Sequence, residues 1–133
     1  MSGKYLLDTN IVISLFAGNE VVLSWIKEVN EIYIPSIVLG ELFYGAQKSA
    51  NVESNISKIT ELASHSYILP CDDETAKHYG EIKNNLRKKG RPIPENDIWI
   101  AAINEQHGLS LVTSDAHFKE VEGISLIELN SKG

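Results

Sequence analysis

Tyr5-Leu6-Leu7-Asp8-Thr9-Asn10-Ile11-Val12-Ile13-Ser14-Leu15-Phe16-Ala17, residues 5–17, sets the architecture of the chain. Tyr5 to Leu7 is a short apolar run, long enough for a strand and too short for a helix. Asp8, Thr9 and Asn10 interrupt it. Ile11 to Ala17 then predicts a helix, separated by Gly18-Asn19 from a second at Val21 to Val29. Strand, polar break, helix is the unit of an α/β protein.

The unit recurs along the chain. Ile32 to Ile34 predicts a strand ended by Pro35, with Ser36 placed to cap a helix running to about Ala50. Asn51 is placed to cap another, with Ile56, Ile59 and Ala63 at helical spacing. Tyr67 to Leu69 is a middle strand in chain order. A long helix follows from about Asp73 to Lys89, stopped by Gly90, and another from Pro94 to His107, stopped by Gly108. Leu109 to Thr113 and Ser125 to Ile127 complete the strands. Strands separated by helices imply a parallel sheet covered on both faces, with ligands bound beyond the carboxyl ends of its strands.

The 133 residues, 43% of them hydrophobic, suit a single domain over residues 1–133 with a core that needs no staples. One cysteine, Cys71, excludes an internal disulfide. No apolar run approaches the roughly 20 residues of a membrane span, and no leader pattern is visible, so the expectation is a cytoplasmic protein without a membrane partner. The net charge of −6 is unusual for a protein that binds nucleic acid by charge alone. Cations bound at an acidic site would offset part of it. Moreover Lys83, Arg87, Lys88, Lys89 and Arg91 gather five of the twelve Lys and Arg within residues 83–91.

Most of the eighteen acids lie among polar neighbours, but four are isolated in apolar surroundings. Asp8 is the only Lys, Arg, Asp or Glu between Lys4 and Glu20. Glu41 stands alone in Ile37-Val38-Leu39-Gly40-Glu41-Leu42-Phe43-Tyr44. Asp97 opens Asn96-Asp97-Ile98-Trp99-Ile100-Ala101-Ala102. Asp115 ends Leu109-Ser110-Leu111-Val112-Thr113-Ser114-Asp115. A buried carboxylate with no partner protonates, so such residues are paired or bind a metal. Three have structural explanations. Asp8 can cap its helix, with Asn10 as rival. Asp97 suits the dipole of a helix's first turn, and Asp115 can cap a short helix at Ala116-His117-Phe118. Glu41 is too deep in its helix for a cap and has no Lys or Arg at i±3 or i±4. As a set, four carboxylates without His or Cys at ligand spacing suit Mg²⁺ or Mn²⁺ and phosphodiester hydrolysis.

These motifs resemble the PIN-domain nucleases, in particular the VapC-type toxins of toxin–antitoxin pairs. Asp8-Thr9-Asn10 after a short strand, Glu41 in Ser36-Ile37-Val38-Leu39-Gly40-Glu41-Leu42-Phe43-Tyr44-Gly45, Asp97 following Arg91-Pro92-Ile93-Pro94-Glu95-Asn96, and Val112-Thr113-Ser114-Asp115-Ala116-His117-Phe118 carry the likeness in order. The resemblance covers residues 4 to 129. It implies a three-layer α/β/α fold with a central, mostly parallel sheet, and a Mg²⁺- or Mn²⁺-dependent endoribonuclease. It matches Asp8 and Asp97 to principal metal ligands, Glu41 and Asp115 to the rest of the acidic set, and Thr9 and Thr113 to supporting hydroxyls. Ser114 departs from the Asn or Arg frequent at that position. The resemblance also implies a homodimer and a cognate antitoxin covering the site, for which the acidic chain suits a basic partner.

Other residues receive lesser roles. Arg87, Lys88, Lys89 and Arg91 are candidates for RNA-phosphate contacts, or a solvated helix end. Glu95 is assigned to solvent or the helix dipole and His117 to surface or packing. His65, His78 and His107 are assigned to the surface, and Trp25, Trp99 and Phe43 to core or dimer interface. Three alternative functions meet specific obstacles. A phosphoreceiver needs an acceptor Asp ending the middle strand, which here ends in Pro70-Cys71. A haloacid-type phosphatase needs an acid where Asn10 stands. A catalytically inactive PIN-like binding module would lack part of the acidic set.

Overall fold

The computed structural model describes residues 3–130. Among them, five strands, β1 (Lys4–Leu7), β2 (Glu31–Pro35), β3 (Tyr67–Leu69), β4 (Ser110–Thr113) and β5 (Leu126–Glu128), form one sheet in the order β3-β2-β1-β4-β5. Every pairing is parallel. Six helices flank it: α1 (Thr9–Phe16), α2 (Glu20–Ile26), α3 (Ser36–Gln47), α4 (Val52–Ser64), α5 (Asp73–Lys89) and α6 (Glu95–Gln106). A 3-10 turn, Ala116–Glu120, follows β4. This is the expected α/β architecture with a parallel central sheet.

The central strands are apolar on both sides because both their faces are covered. Leu6, Leu7, Ile34, Leu111 and Val112 are fully buried, and Ile100 and Ile103 of α6 and Phe118 of the 3-10 turn join them in the core. From β1 the chain first steps outward through β2 to β3, then returns to place β4 on the other side of β1. The order therefore reverses between β1 and β4, and their carboxyl ends diverge into a crevice. Asp8 follows β1 directly and Asp115 lies two residues past β4.

The boundaries differ from the sequence reading in informative places. Pro35, not Ser36, occupies the cap of α3, and neither it nor Asn51 before α4 caps with a side chain. The helix α3 ends at Gln47, short of Ala50. Tyr67–Leu69, a middle strand in chain order, lies at an edge of the sheet. The long helix is as read: Asp72 and Thr75 form a reciprocal capping box at its start, and Gly90 closes it at φ 68°, a left-handed conformation that glycine tolerates. No single helix among the described residues is long and apolar enough to cross a membrane.

Candidate metal centre

Asp8 is 4% exposed and held from three directions. Its Oδ1 accepts from the Thr9 amide at 2.8 Å, and its Oδ2 accepts from Asn10 Nδ2 at 3.1 Å and Thr113 Oγ1 at 2.7 Å. A cap is one of the two roles that the sequence allows at this position. Asp8 does occupy the cap of α1, but its oxygen takes the first amide of the helix, whereas a cap ordinarily serves the second or third. Thr113, fully buried, also accepts from the Asp115 amide at 2.9 Å, so one hydroxyl fixes two of the acids. Asn10 spans the same crevice, its Oδ1 accepting from the Ser114 amide at 3.2 Å.

The other three acids converge on Asp8 through space. Glu41, half-buried on α3, and Asp97, in the first turn of α6, both have their carboxyls raised, first by burial and then by the charge of Asp8. Asp97 is pushed up to about 6. Asp115 adds to the repulsion on both Asp8 and Asp97. Asp8 is itself raised, with burial outweighing its hydrogen bonds. Asn96 and Thr9 ease the charge on Glu41. Yet Thr9 Oγ1, sealed from solvent beside Glu41, makes no hydrogen bond of proper geometry.

Among the described residues, no Lys or Arg pairs with any of the four. Their sole ion-pairing neighbour there is His117. Its Nδ1 lies 3.1 Å from Asp115 Oδ1 and 3.4 Å from Asp97 Oδ2, although the ring is 52% exposed. The sequence assigns His117 to surface or packing. It is at the surface, but it belongs to this cluster. The 3-10 turn, capped by Asp115 through the His117 amide at 2.9 Å, folds it back toward α6. Converging oxygens, mutual repulsion and an orphaned buried hydroxyl fit a divalent cation, which would take hard oxygen donors and relieve the repulsion.

The remaining candidates separate. Glu95 turns away, accepting from the Tyr79 hydroxyl and pairing with Lys83 at 3.2 Å. Of the basic stretch, Arg87 is bound to Asn84 at 3.0 Å and Lys89 to the Glu120 carbonyl at 2.6 Å. The Lys88 and Arg91 side chains have no partner among the described residues. Arg91 lines an open groove of about 420 Å³ with Pro92, Ile93, Ala116, His117 and Glu120, and His117 joins this lining to Asp97 and Asp115. A separate apolar groove of about 250 Å³, lined by Ile13, Phe16, Leu42, Ala46 and Ile59, begins at Glu41. Trp25 packs edge-on against Tyr5 and Trp99 stacks on Tyr79, so both rings are engaged internally.

Comparison with known proteins agrees with this fold. The PIN domain family model matches residues 5–124. Ribonuclease VapC2 of Haemophilus influenzae is 40% identical over 114 residues, 84% of this chain and 86% of the relative. The tRNA(fMet)-specific endonuclease VapC of Shigella flexneri is 34% identical over 124 residues, 91% and 94% of the two chains. The crystal structure of VapBC2 from Rickettsia felis, bound to a DNA fragment from the promoter, superposes with a TM-score of 0.87 at 31% identity, covering 96% of this chain and 99% of that one. By motif, fold and relatives alike, this chain belongs to the PIN-domain family, in its VapC group.

Proposed function

We propose that this protein is the ribonuclease toxin of a VapBC-type pair, hydrolysing RNA phosphodiester bonds with Mg²⁺ or Mn²⁺ held by Asp8, Asp97, Glu41 and Asp115. The observation that carries the proposal is four mutually repelling carboxylates at the carboxyl edge of the sheet, with no Lys or Arg among the described residues to neutralise them. Asp8 and Asp97 are the principal ligands; Glu41 and Asp115 complete the set. When bound, the cation supplies an activated water and stabilises the charge of the leaving oxygen. The protein supplies position. Thr113, Asn10 and the Thr9 amide hold Asp8 in one orientation, and Thr113 sets the backbone of Asp115 against it. Arg91, unpaired in the adjoining groove, guides the RNA backbone, and Lys88 adds to the local positive field. Arg87 and Lys89, already engaged, contribute less.

The antitoxin partner rests on the VapBC complexes among the similar structures and on the apolar groove that starts at Glu41. A partner segment lying in that groove reaches the acids, where a basic side chain would compete with the cation. A homodimer and a cytoplasmic location belong to the same reading. The test is cleavage of RNA by the purified chain, with initiator tRNA the first substrate because a relative is specific for tRNA(fMet). Expected is cutting in Mg²⁺ or Mn²⁺, abolished by EDTA and by Asp8→Asn or Asp97→Asn. Undiminished cutting by the Asp8→Asn protein would sink the proposal, and absence of cutting on any RNA would leave a binding module.

A further inference from the structure

We infer that His117 is a nitrogen ligand of the carboxylate-bound cation and gives the site a preference for Mn²⁺ over Mg²⁺. The inference rests on the metal-dependent reading above and extends it to a residue outside the acidic set. Ligand atoms of Asp97, Asp115 and His117 all lie within 4.8 Å of one another. His117 Nδ1 is 3.1 Å from Asp115 Oδ1 and 3.4 Å from Asp97 Oδ2. Adjacent ligands on an octahedral ion with bonds of about 2.1 Å stand roughly 3.0 Å apart, the bond length times √2. Both separations are close to those of groups sharing one ion.

A hydrogen bond accounts for only one of them at a time: 3.1 Å to Asp115 is an ordinary N–H···O separation, and 3.4 Å to Asp97 is a long one. A ring nitrogen carries at most one proton, which cannot serve two carboxylates equally. The longer separation also exceeds the ordinary ~2.7–2.9 Å of a charge-assisted bond. One cation satisfies all three groups. The placement is built in: the His117 amide donates to Asp115, and Phe118, fully buried, anchors the turn that carries the ring. With Nδ1 supplying its lone pair, the proton sits on Nε2, away from the acids.

The donor set decides the metal. Carboxylates accept Mg²⁺ and Mn²⁺ alike; a single imidazole adds little for Mg²⁺ and more for Mn²⁺, which is the softer of these two oxygen-preferring ions. The His117→Ala protein should therefore lose Mn²⁺ binding more than it loses Mg²⁺ binding.

The test uses the full chain with Mn²⁺ alone as the probe. Free Mn²⁺ is counted by its EPR signal, and coordinated nitrogen is detected by electron spin-echo envelope modulation. Expected is ¹⁴N modulation in wild type, absent in His117→Ala, with Mn²⁺ affinity reduced on the order of tenfold. Mg²⁺ affinity, measured by competition, should change by less than about threefold. Bound Mn²⁺ without nitrogen coupling, or equal losses for both ions, would overturn the inference and leave His117 as a hydrogen-bonding neighbour. Mn²⁺ binding that ignores Asp97→Asn would overturn the carboxylate site itself, so the two failures are distinct. Unchanged melting of His117→Ala in EDTA, expected for a half-exposed ring, excludes unfolding as the cause.

Discussion

Neutralising Asp97 should stabilise the metal-free protein, increasingly so as pH rises from about 4 through about 6. The Asp97→Asn substitution removes a charge opposed by burial, Asp8 and Asp115, and only partly relieved by His117. The carboxyl rises from 3.8 to about 6 on folding, so the folded state holds this proton more tightly than the unfolded chain. The corresponding stability is fully present below about pH 4 and is lost as pH climbs through about 6. At about 1.4 kcal/mol per pH unit, a gap of roughly two units sets a ceiling near 3 kcal/mol. The side chain remains 16% exposed, and counterions collect around the cluster. About 1.5 kcal/mol at pH 8 is the expectation after screening. The assay is urea unfolding of both proteins in EDTA at pH 4, 6 and 8. The variant should be the more stable at pH 8 and the advantage should be largely gone at pH 4. Saturating Mn²⁺ should reverse the order, because wild type gains about 2.7 kcal/mol at a hundred times its Kd and the variant does not. A variant less stable than wild type at pH 8 in EDTA, or a difference independent of pH, would show that the Asp97 charge carries no cost in the folded protein.

The supports of the site lend themselves to two more tests. Thr113→Val deprives Asp8 of its 2.7 Å donor and the Asp115 amide of its acceptor. It should cost on the order of 1.5–3 kcal/mol in urea unfolding and weaken Mn²⁺ binding, with Thr113→Ser restoring both. Arg91→Ala should raise KM for RNA with kcat little changed and reduce the slope of log KM against log salt by about 0.7–0.9, one phosphate contact. Lys89→Ala, already tied to Glu120, should move that slope less.

Much of the fold is legible in the sequence. Period and punctuation locate the strands Tyr5–Leu7 and Tyr67–Leu69 and the helix from Asp73 to Lys89, because each is bounded by residues with strong backbone preferences. The isolation of Glu41 in an apolar helix points to a partner not supplied by its own sequence neighbours. The helix starts at Ser36 and Asn51 mislead because side-chain chemistry alone suggests the caps. There the extended backbone of Pro35 begins one helix, and Asn51 occupies the cap without bonding. His117 and Asn10 are hidden as parts of the centre for a different reason. Neither has a periodic or charge signature. Their roles arise only when β4 lies beside β1, bringing a 3-10 turn and a helix start to the same crevice. Thr9 stands out by family likeness alone, and its buried, unsatisfied hydroxyl gives that likeness a physical content.

The pairing of β1 with β4 has a consequence for synthesis. Leu7 aligns with Val112, and the Asp8 amide bonds the Val112 carbonyl at 3.1 Å, so strands more than a hundred residues apart must meet before Asp8 and Asp115 do. Contacts of such separation close late. A growing chain on the ribosome therefore carries its acids as scattered side chains, with the proposed metal site not yet assembled. The proposed site comes together only when β4 pairs with β1, as a property of the assembled sheet.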